Sequence, residues 1–203
     1  MRLDRPPPGE ELRGDAPVAK PRPAATVVVA RDAADGVEVL LVRRHPDQRF
    51  MGGVWVFPGG AVDRGETPAR TAIRELREEA GIELGEGAEL AEFSRWVTPR
   101  EVKVRFDTHF FVTPAPPGCR PCPDGEECVA VRWITPPAAL AEWRAGKLEL
   151  VFPTVKHLEL LAQFDSTDAL MSYARSARVE PVEPRVIIDT EGPRVVLPGE
   201  PGY

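Results

Sequence analysis

The sequence predicts an α+β fold, and three observations point to it. Short β-branched runs are separated by glycine- and proline-rich turns along most of the chain. One segment, Pro68 to Ala80, repeats apolar residues at helical spacing and carries a capping signal at each end. Strand signals keep recurring after that helix, so helices flank a sheet instead of packing into a bundle. At 203 residues, one domain with appendages is expected, because a domain takes roughly 100 to 200 residues.

The elements follow in order. Residues 1–24 read as a flexible proline-rich arm, with six prolines in residues 1–25, charges of both signs, no periodicity and no apolar leader segment. Thr26 to Arg31 and Val37 to Val42 flank Asp-Ala-Ala-Asp-Gly and predict a hairpin. Val54 to Phe57 predicts a short strand stopped by Pro58-Gly59-Gly60. Thr67 is placed to cap a helix with Pro68 at its first position and Gly81 as its stop. Further strands are expected at 88–97, 105–113 and 128–134, and helices at 137–145, 154–164 and 166–177. A small hairpin from 186–188 and 195–197 falls in a C-terminal extension, 181–203, beyond a main domain of 25–180.

Composition excludes several function classes. No apolar run approaches the roughly 18 residues that a membrane helix needs. With 26 basic against 32 acidic residues the net charge is −6, so the chain as a whole repels nucleic acid, and an anionic substrate must be held by local charges. Three cysteines form no disulfide framework; a reducing compartment, by default the cytoplasm, is expected. Cys119-x-x-Cys122 with Cys128 lacks a fourth cysteine for a zinc site. His109 and His157 sit in apolar stretches, where packing is the ordinary role.

The helix from Pro68 carries the chemistry. Ala69, Ala72, Ile73, Leu76 and Ala80 form an apolar stripe, and Glu75, Glu78 and Glu79 gather on a neighbouring face. Like charges three and four residues apart disfavour a helix by roughly a few tenths of a kcal/mol per pair unless a cation joins them. Oxygen-only ligands suit Mg²⁺ or Mn²⁺, which keep positions open for water and phosphate oxygens.

From Gly60 to Ile82 the sequence GAVDRGETPARTAIRELREEAGI follows G-x5-E-x7-R-E-L-x-E-E-x-G-I. It resembles the Nudix hydrolase signature at every defined position. The resemblance implies an α/β/α sandwich around a mixed β-sheet, a loop-helix-loop catalytic element and hydrolysis of a nucleoside diphosphate linked to another moiety. It also implies Glu75, Glu78 and Glu79 as catalytic metal ligands, joined by the Gly59 carbonyl, with Glu66 and Arg74 paired to fix the loop. Gly60, Gly65 and Gly81 would permit the turns. Members of the family recruit a further glutamate as metal ligand or base, and Glu127 in EECVAVRW is the candidate here, with Glu126 as its neighbouring substitute.

The segment LLVRRHPDQRFMGGVWVFPGG, Leu40 to Gly60, is similar to the coenzyme A diphosphatase subgroup of that family, with Val42 in place of threonine and His45 in place of serine or alanine. RFMGGVWVFPGG and WVTPREVKVRFDTHFF resemble the acyl-coenzyme A branch. The likeness implies release of 3′-phosphoadenosine 5′-phosphate and a 4′-phosphopantetheine compound. Strand alternation lets only one of Arg43 and Arg44 face the site; Arg44 is at the motif position and, with Arg49 and Phe57, is the expected substrate contact. Trp96, near Pro99 and Arg100, is a candidate for a groove wall.

Two competing readings are an ADP-ribose or nucleotide-sugar diphosphatase and a non-catalytic nucleotide-binding regulatory module. Such modules often lose box glutamates, whereas this chain keeps them all. The helices after Pro137 and the terminal hairpin carry no chemical motif. Two roles stay open for them: capping an acyl chain, or forming the homodimer interface common in the family.

Overall fold

The computed structural model describes residues 11–190 and 192–203. The part of the expected arm in residues 1–10 lies outside them. Strand β1 spans Arg22–Ala33, β2 Gly36–Arg44, β3 Trp55–Val56 and β4 Gly59–Ala61, before helix α1, Pro68–Ala80. Then follow β5 Ala91–Val97, β6 Phe106–Pro114, β7 Cys128–Ile134, α2 Pro136–Arg144, α3 Phe152–Leu161 and α4 Thr167–Ser176. Three short strands close the chain: β8 Pro181–Val182, β9 Arg185–Asp189 and β10 Gly192–Val196.

Strands β1 to β8 form one mixed sheet in the order β3-β2-β1-β6-β5-β8, with β4 added to β1 and β7 to β2. β1 is its spine. It runs parallel to β6 from Arg22↔Phe106 to Ala30↔Pro114, and on its other edge pairs antiparallel with β4 and then with β2. Both faces of β1 are covered, which is why its sequence is a continuous valine run without polar alternation. Val27 and Val29 pack on the side of α1, with Ala72, Leu76 and Ala80. Val28 and Ala30 pack on the opposite side with residues of α2, α3 and α4. The result is three layers, α/β/α.

Helix α1 has the expected limits. Thr67 accepts a hydrogen bond from the Arg70 N–H at 3.4 Å, and Gly81 turns left-handed at φ 63° while its N–H donates to the Arg77 carbonyl at 3.0 Å. Its buried arc is rotated from the expected stripe. Ile73 is 40% exposed, whereas Thr71, Glu75 and Glu79 are buried beside Ala72, Leu76 and Ala80. Apolar spacing misplaced the arc because Glu79 and Thr71 find polar partners at the sheet and the preceding loop, and Glu75 pairs with Arg74 of the helix itself.

Other departures lie at the edges. The chain does not stop at Pro58-Gly59-Gly60: after the two-residue β3 it re-enters the sheet as β4, with Ala25 opposite Gly60. β1 begins at Arg22, within the segment expected to be the arm, and Leu12 bridges Val102. The C-terminal segment is likewise fastened to the main body. β8 pairs parallel with β5, and Val186 and Val195 of the β9–β10 hairpin pack with Val102 and Phe152.

Arg105 ties both ends down. Its side chain, 6% exposed, donates to the carbonyls of Thr98 and Ala19 at 2.9 Å each and pairs with Glu183 at 2.8 Å. Buried guanidinium groups need such partners, because an unpaired buried charge is strongly destabilising.

His157 of α3 is buried, stacked on Phe110 with ring centres 4.0 Å apart. Its Nδ1 lies 2.7 Å from the Pro153 carbonyl and so carries the proton; among the described residues Nε2 has no hydrogen-bond partner. Burial pushes its pKa down to about 4 from an ordinary 6.5.

Two predictions follow from this packing. Glu183→Ala leaves Arg105 without its carboxylate and is expected to lower unfolding stability by about 1–3 kcal/mol, with faster amide exchange in residues 98–105; urea titration and hydrogen exchange check this. Below pH 6.5 the unfolded chain gains a proton at His157 that the folded chain refuses until about pH 4. Stability is therefore lost as pH falls through that window, by an amount on the order of 3 kcal/mol from this group. In paired urea melts at pH 7.5 and 4.5, His157→Phe is expected to lose less stability than the parent chain.

Candidate functional site

The site forms where β4 passes beneath α1. A Cβ on Gly60 would collide with the Glu75 carboxylate, and one on Gly59 would collide with β1 at Ala25 and Thr26. Glycine at both positions therefore lets the backbone approach both neighbours. The Gly59 N–H donates to Glu79 Oε2 at 2.9 Å.

The three box glutamates share a helix edge but divide between two cations. Arg74 binds Glu75 Oε1 at 2.8 Å and Glu78 Oε2 at 2.9 Å through Nη1, while its Nε reaches Glu66 Oε1 at 3.1 Å. Glu66 also accepts the Thr71 hydroxyl at 2.7 Å. Arg74 and Thr71 hold the Glu66 carboxyl below its ordinary pKa. Glu79 turns the other way, toward Gly59 and toward Arg44 Nη1 at 3.6 Å.

Arg44 stands at the end of β2, where the pairing with β7 shifts register between Arg43 and Arg44. Such a bulge re-aims a side chain. Arg44 points to the glutamates, and Arg43 donates instead to the Gly53 carbonyl at 3.2 Å. Glu127 lies just ahead of β7. Asp124 accepts the N–H groups of Glu127 at 2.8 Å and Cys128 at 2.7 Å, and the Glu127 carbonyl accepts the His45 N–H at 2.7 Å. This frame leaves the Glu127 side chain exposed and facing the cavity beside Glu75 and Glu78; Glu126 is outside it.

Burial raises the pKa of Glu75, against the opposing effect of Arg74. It raises Glu79 further, to about 7, although the Gly59 N–H and Arg44 act the other way and the charges of Glu75 and Glu127 add to the rise. Among the described residues Glu79 Oε1 has no hydrogen-bond partner, and it is buried 3.6 Å from Arg44 Nη1. Buried carboxylate oxygens are ordinarily satisfied, so this one is suited to a cation.

The donors available are all oxygens, which fits Mg²⁺ or Mn²⁺. Among the described residues no three Asp, Glu, His or Cys side chains already stand as a metal-holding group. The Arg74 guanidinium joins Glu75 and Glu78, while Glu79 turns toward Gly59 and Arg44.

A cavity of about 490 Å³ opens at this edge. Gly59, Gly60, Arg44, Phe57 and Glu127 line it, as do Trp96 and Pro99; Arg49 and Arg100 do not. Arg49 is exposed on the loop between β2 and β3, where a motif position gave no guide to direction. Phe57, 2% exposed, is as much core as wall.

Two neighbours were not legible as site residues. Arg22, assigned to the arm, lines the cavity with its guanidinium 4.7 Å from the ring centre of Phe106, a contact set by the β1·β6 register. Cys128 is buried against Glu79, and burial, reinforced by that carboxylate, pushes its thiol pKa up. Cys119 packs with the α1 cluster and Cys122 is exposed.

The chain is 42% identical over 74 residues to the CTP pyrophosphohydrolase of Escherichia coli (strain K12), covering 36% of this chain and 53% of that protein. It is 42% identical over 45 residues to the 8-oxo-dGTP diphosphatase of Proteus vulgaris, covering 22% and 40%. These alignments span about half or less of the curated relatives' own length. The NUDIX hydrolase structure from Alicyclobacillus acidocaldarius superposes with a TM-score of 0.69 at 30% identity, over 76% of this chain and 96% of that one. The family model described as NUDIX domain matches residues 20–152, from just ahead of β1 to the start of α3. The glutamates of α1, the glycine strand beneath them and strands β1 to β7 of the mixed sheet all lie within that stretch, and the chain belongs to the NUDIX domain family.

Proposed function

We propose that the chain is a metal-dependent diphosphatase that hydrolyses the diphosphate linkage of coenzyme A or an acyl-coenzyme A. The observation that carries the reading is the glutamate edge of α1: Glu79 is buried, fixed by the Gly59 N–H and faced by Arg44, and Arg44, Gly59, Glu75, Glu78 and Glu127 line the cavity beside it. Curated relatives are named for splitting diphosphates or pyrophosphates of nucleotides. The subgroup assignment rests on the spacing of Leu40, Leu41, Arg44, Arg49, Gly53 and Phe57-Pro58-Gly59-Gly60.

Glu75, Glu78, Glu79 and Glu127, with the Gly59 carbonyl, would hold Mg²⁺ or Mn²⁺. The bound ion would neutralise diphosphate oxygens and make a water molecule a better nucleophile. The protein's own contributions are positional. Gly59 orients Glu79, and Glu66 and Thr71 brace Arg74 so that the loop before α1 keeps its place. Arg44 offers a cation at the cavity for a phosphate oxygen. In the overall reaction one P–O bond forms to water and the bridging P–O bond breaks, giving two phosphomonoesters.

Glu79→Gln removes a negative charge while keeping size, and is expected to lower turnover on the order of 10²-fold or more with an unchanged circular dichroism spectrum. Coenzyme A, octanoyl-coenzyme A and ADP-ribose, compared in Mg²⁺ and in Mn²⁺, test the substrate. A higher kcat/KM for ADP-ribose defeats the coenzyme A assignment. Binding without hydrolysis of any of the three defeats the enzyme reading.

A further inference from the structure

The cavity has two chemically different halves. Arg44, Arg74, Glu75, Glu78 and Glu127 stand at the box end, and Arg22, laid over Phe106, is the other charged residue in its lining. Elsewhere the wall is largely aliphatic and aromatic. Val102, Phe152, Val186 and Val195 form a buried cluster of their own with Trp96 packed on it, and all five line the cavity. Thr98, one of the uncharged polar residues there, already accepts the Phe106 N–H with its hydroxyl at 3.0 Å and the Arg105 side chain with its carbonyl at 2.9 Å.

Much of this wall comes from outside the family domain. Leu12 precedes residues 20–152, and Pro184, Val186, Pro193 and Val195 follow them. The segment around Leu12 and the β9–β10 hairpin are held in place by the Leu12–Val102 bridge, the Val186 N–H to Glu101 Oε2 bond at 3.1 Å and the Arg105–Glu183 pair. The two terminal segments thus add an apolar chamber to a charged catalytic edge, within one continuous cavity. A ligand that fills both halves has an anionic end and an apolar end joined in one molecule.

We infer that the apolar half is a subsite for an aliphatic chain covalently joined to the diphosphate substrate, with Val186 and Val195 setting the chain length it takes. The inference rests on the proposed reading in that the diphosphate occupies the box end. Against the Val102, Phe152, Val186 and Val195 cluster a purine or pyrimidine base is a poorer match, because its ring nitrogens and exocyclic groups call for hydrogen-bonding partners that these side chains do not offer.

The test uses the full chain and a series of methyl, butyl, octyl and dodecyl diphosphates, titrated calorimetrically in Mg²⁺. Affinity is expected to rise roughly two- to fourfold per methylene until the chamber is filled. Val195→Phe and, separately, Val186→Phe are expected to bring that plateau to a shorter chain; melting curves identify a variant that has lost its fold, in which case the other decides. Affinity independent of chain length overturns the inference, as does a plateau that neither variant moves. ADP binding that tightens over methyl diphosphate and weakens in Val195→Phe, with a flat alkyl series, assigns the chamber to a base instead. Turnover assays separate this from the substrate reading. Hydrolysis of ADP-ribose but neither coenzyme A compound, with a rising alkyl series, removes coenzyme A and keeps the subsite. Equal kcat/KM for coenzyme A and octanoyl-coenzyme A, with a flat series, removes the subsite and keeps coenzyme A.

Discussion

Burying the carboxylates of Glu75 and Glu79 beside the Gly59–Gly60 backbone disfavours their charged forms, and the architecture around them is what offsets that cost. Unpaired buried carboxylates would protonate or pull toward water. Here Arg74 meets Glu75 and Arg44 meets Glu79, while the backbone N–H of Gly59 supplies a hydrogen bond that no side-chain motion can withdraw. The compensation is incomplete. Among the described residues one oxygen of Glu79 remains without a hydrogen-bond partner, 3.6 Å from Arg44 Nη1.

The sheet exists in this form to hold that arrangement. β4 can pass beneath α1 because β1 carries it on one edge, and β1 is itself fixed along its length by β6 on the other. β2 delivers Arg44 from its far end, and the register shift against β7 gives the side chain its direction while placing Glu127 across the cavity. Helix α1 thus contributes Arg74 and three glutamates, while β2, β4 and the turn ahead of β7 contribute one or two groups each. No element holds the site alone, so the packing of the valine-rich spine sets its geometry.

The segments at the two chain ends extend this frame. They meet on the loop between β5 and β6, where Arg105 binds a carbonyl from residue 19 and a carboxylate from residue 183. A buried guanidinium with three fixed partners is a rigid joint, and it places the β9–β10 hairpin and the Leu12 segment as walls of a chamber continuous with the glutamate edge of α1. The proposed aliphatic-chain subsite is consequently a property of the terminal segments, with the family domain forming the charged end.

Much of the molecule was legible from local signals. Thr67, Pro68 and Gly81 bound α1 to the residue, because capping and left-handed turns depend on chemistry within a few positions. The spacing of Glu75, Glu78 and Glu79 marked the acidic edge, and the expected Glu66 and Arg74 lie 3.1 Å apart. The strands along 26–42 and 128–134 announced themselves by β-branched runs. Contacts between residues far apart in sequence were not legible. Ile73 was placed inside because apolar spacing cannot tell which side of an amphipathic arc will meet a polar neighbour, and here Glu75 and Glu79 met one. β4 was missed because a strand containing two glycines owes its pairing to the Ala24–Thr26 edge that accepts it, not to its own propensity. Arg22 and Arg105 owe their positions to the parallel β1·β6 register and to the chain ends. The sequence by itself determined the helix, its caps and the identity of the acidic groups, since those follow from spacing within one segment. Only the tertiary structure decided which carboxylates are buried and what closes the far end of the cavity, because each of those depends on atoms brought together from distant parts of the chain.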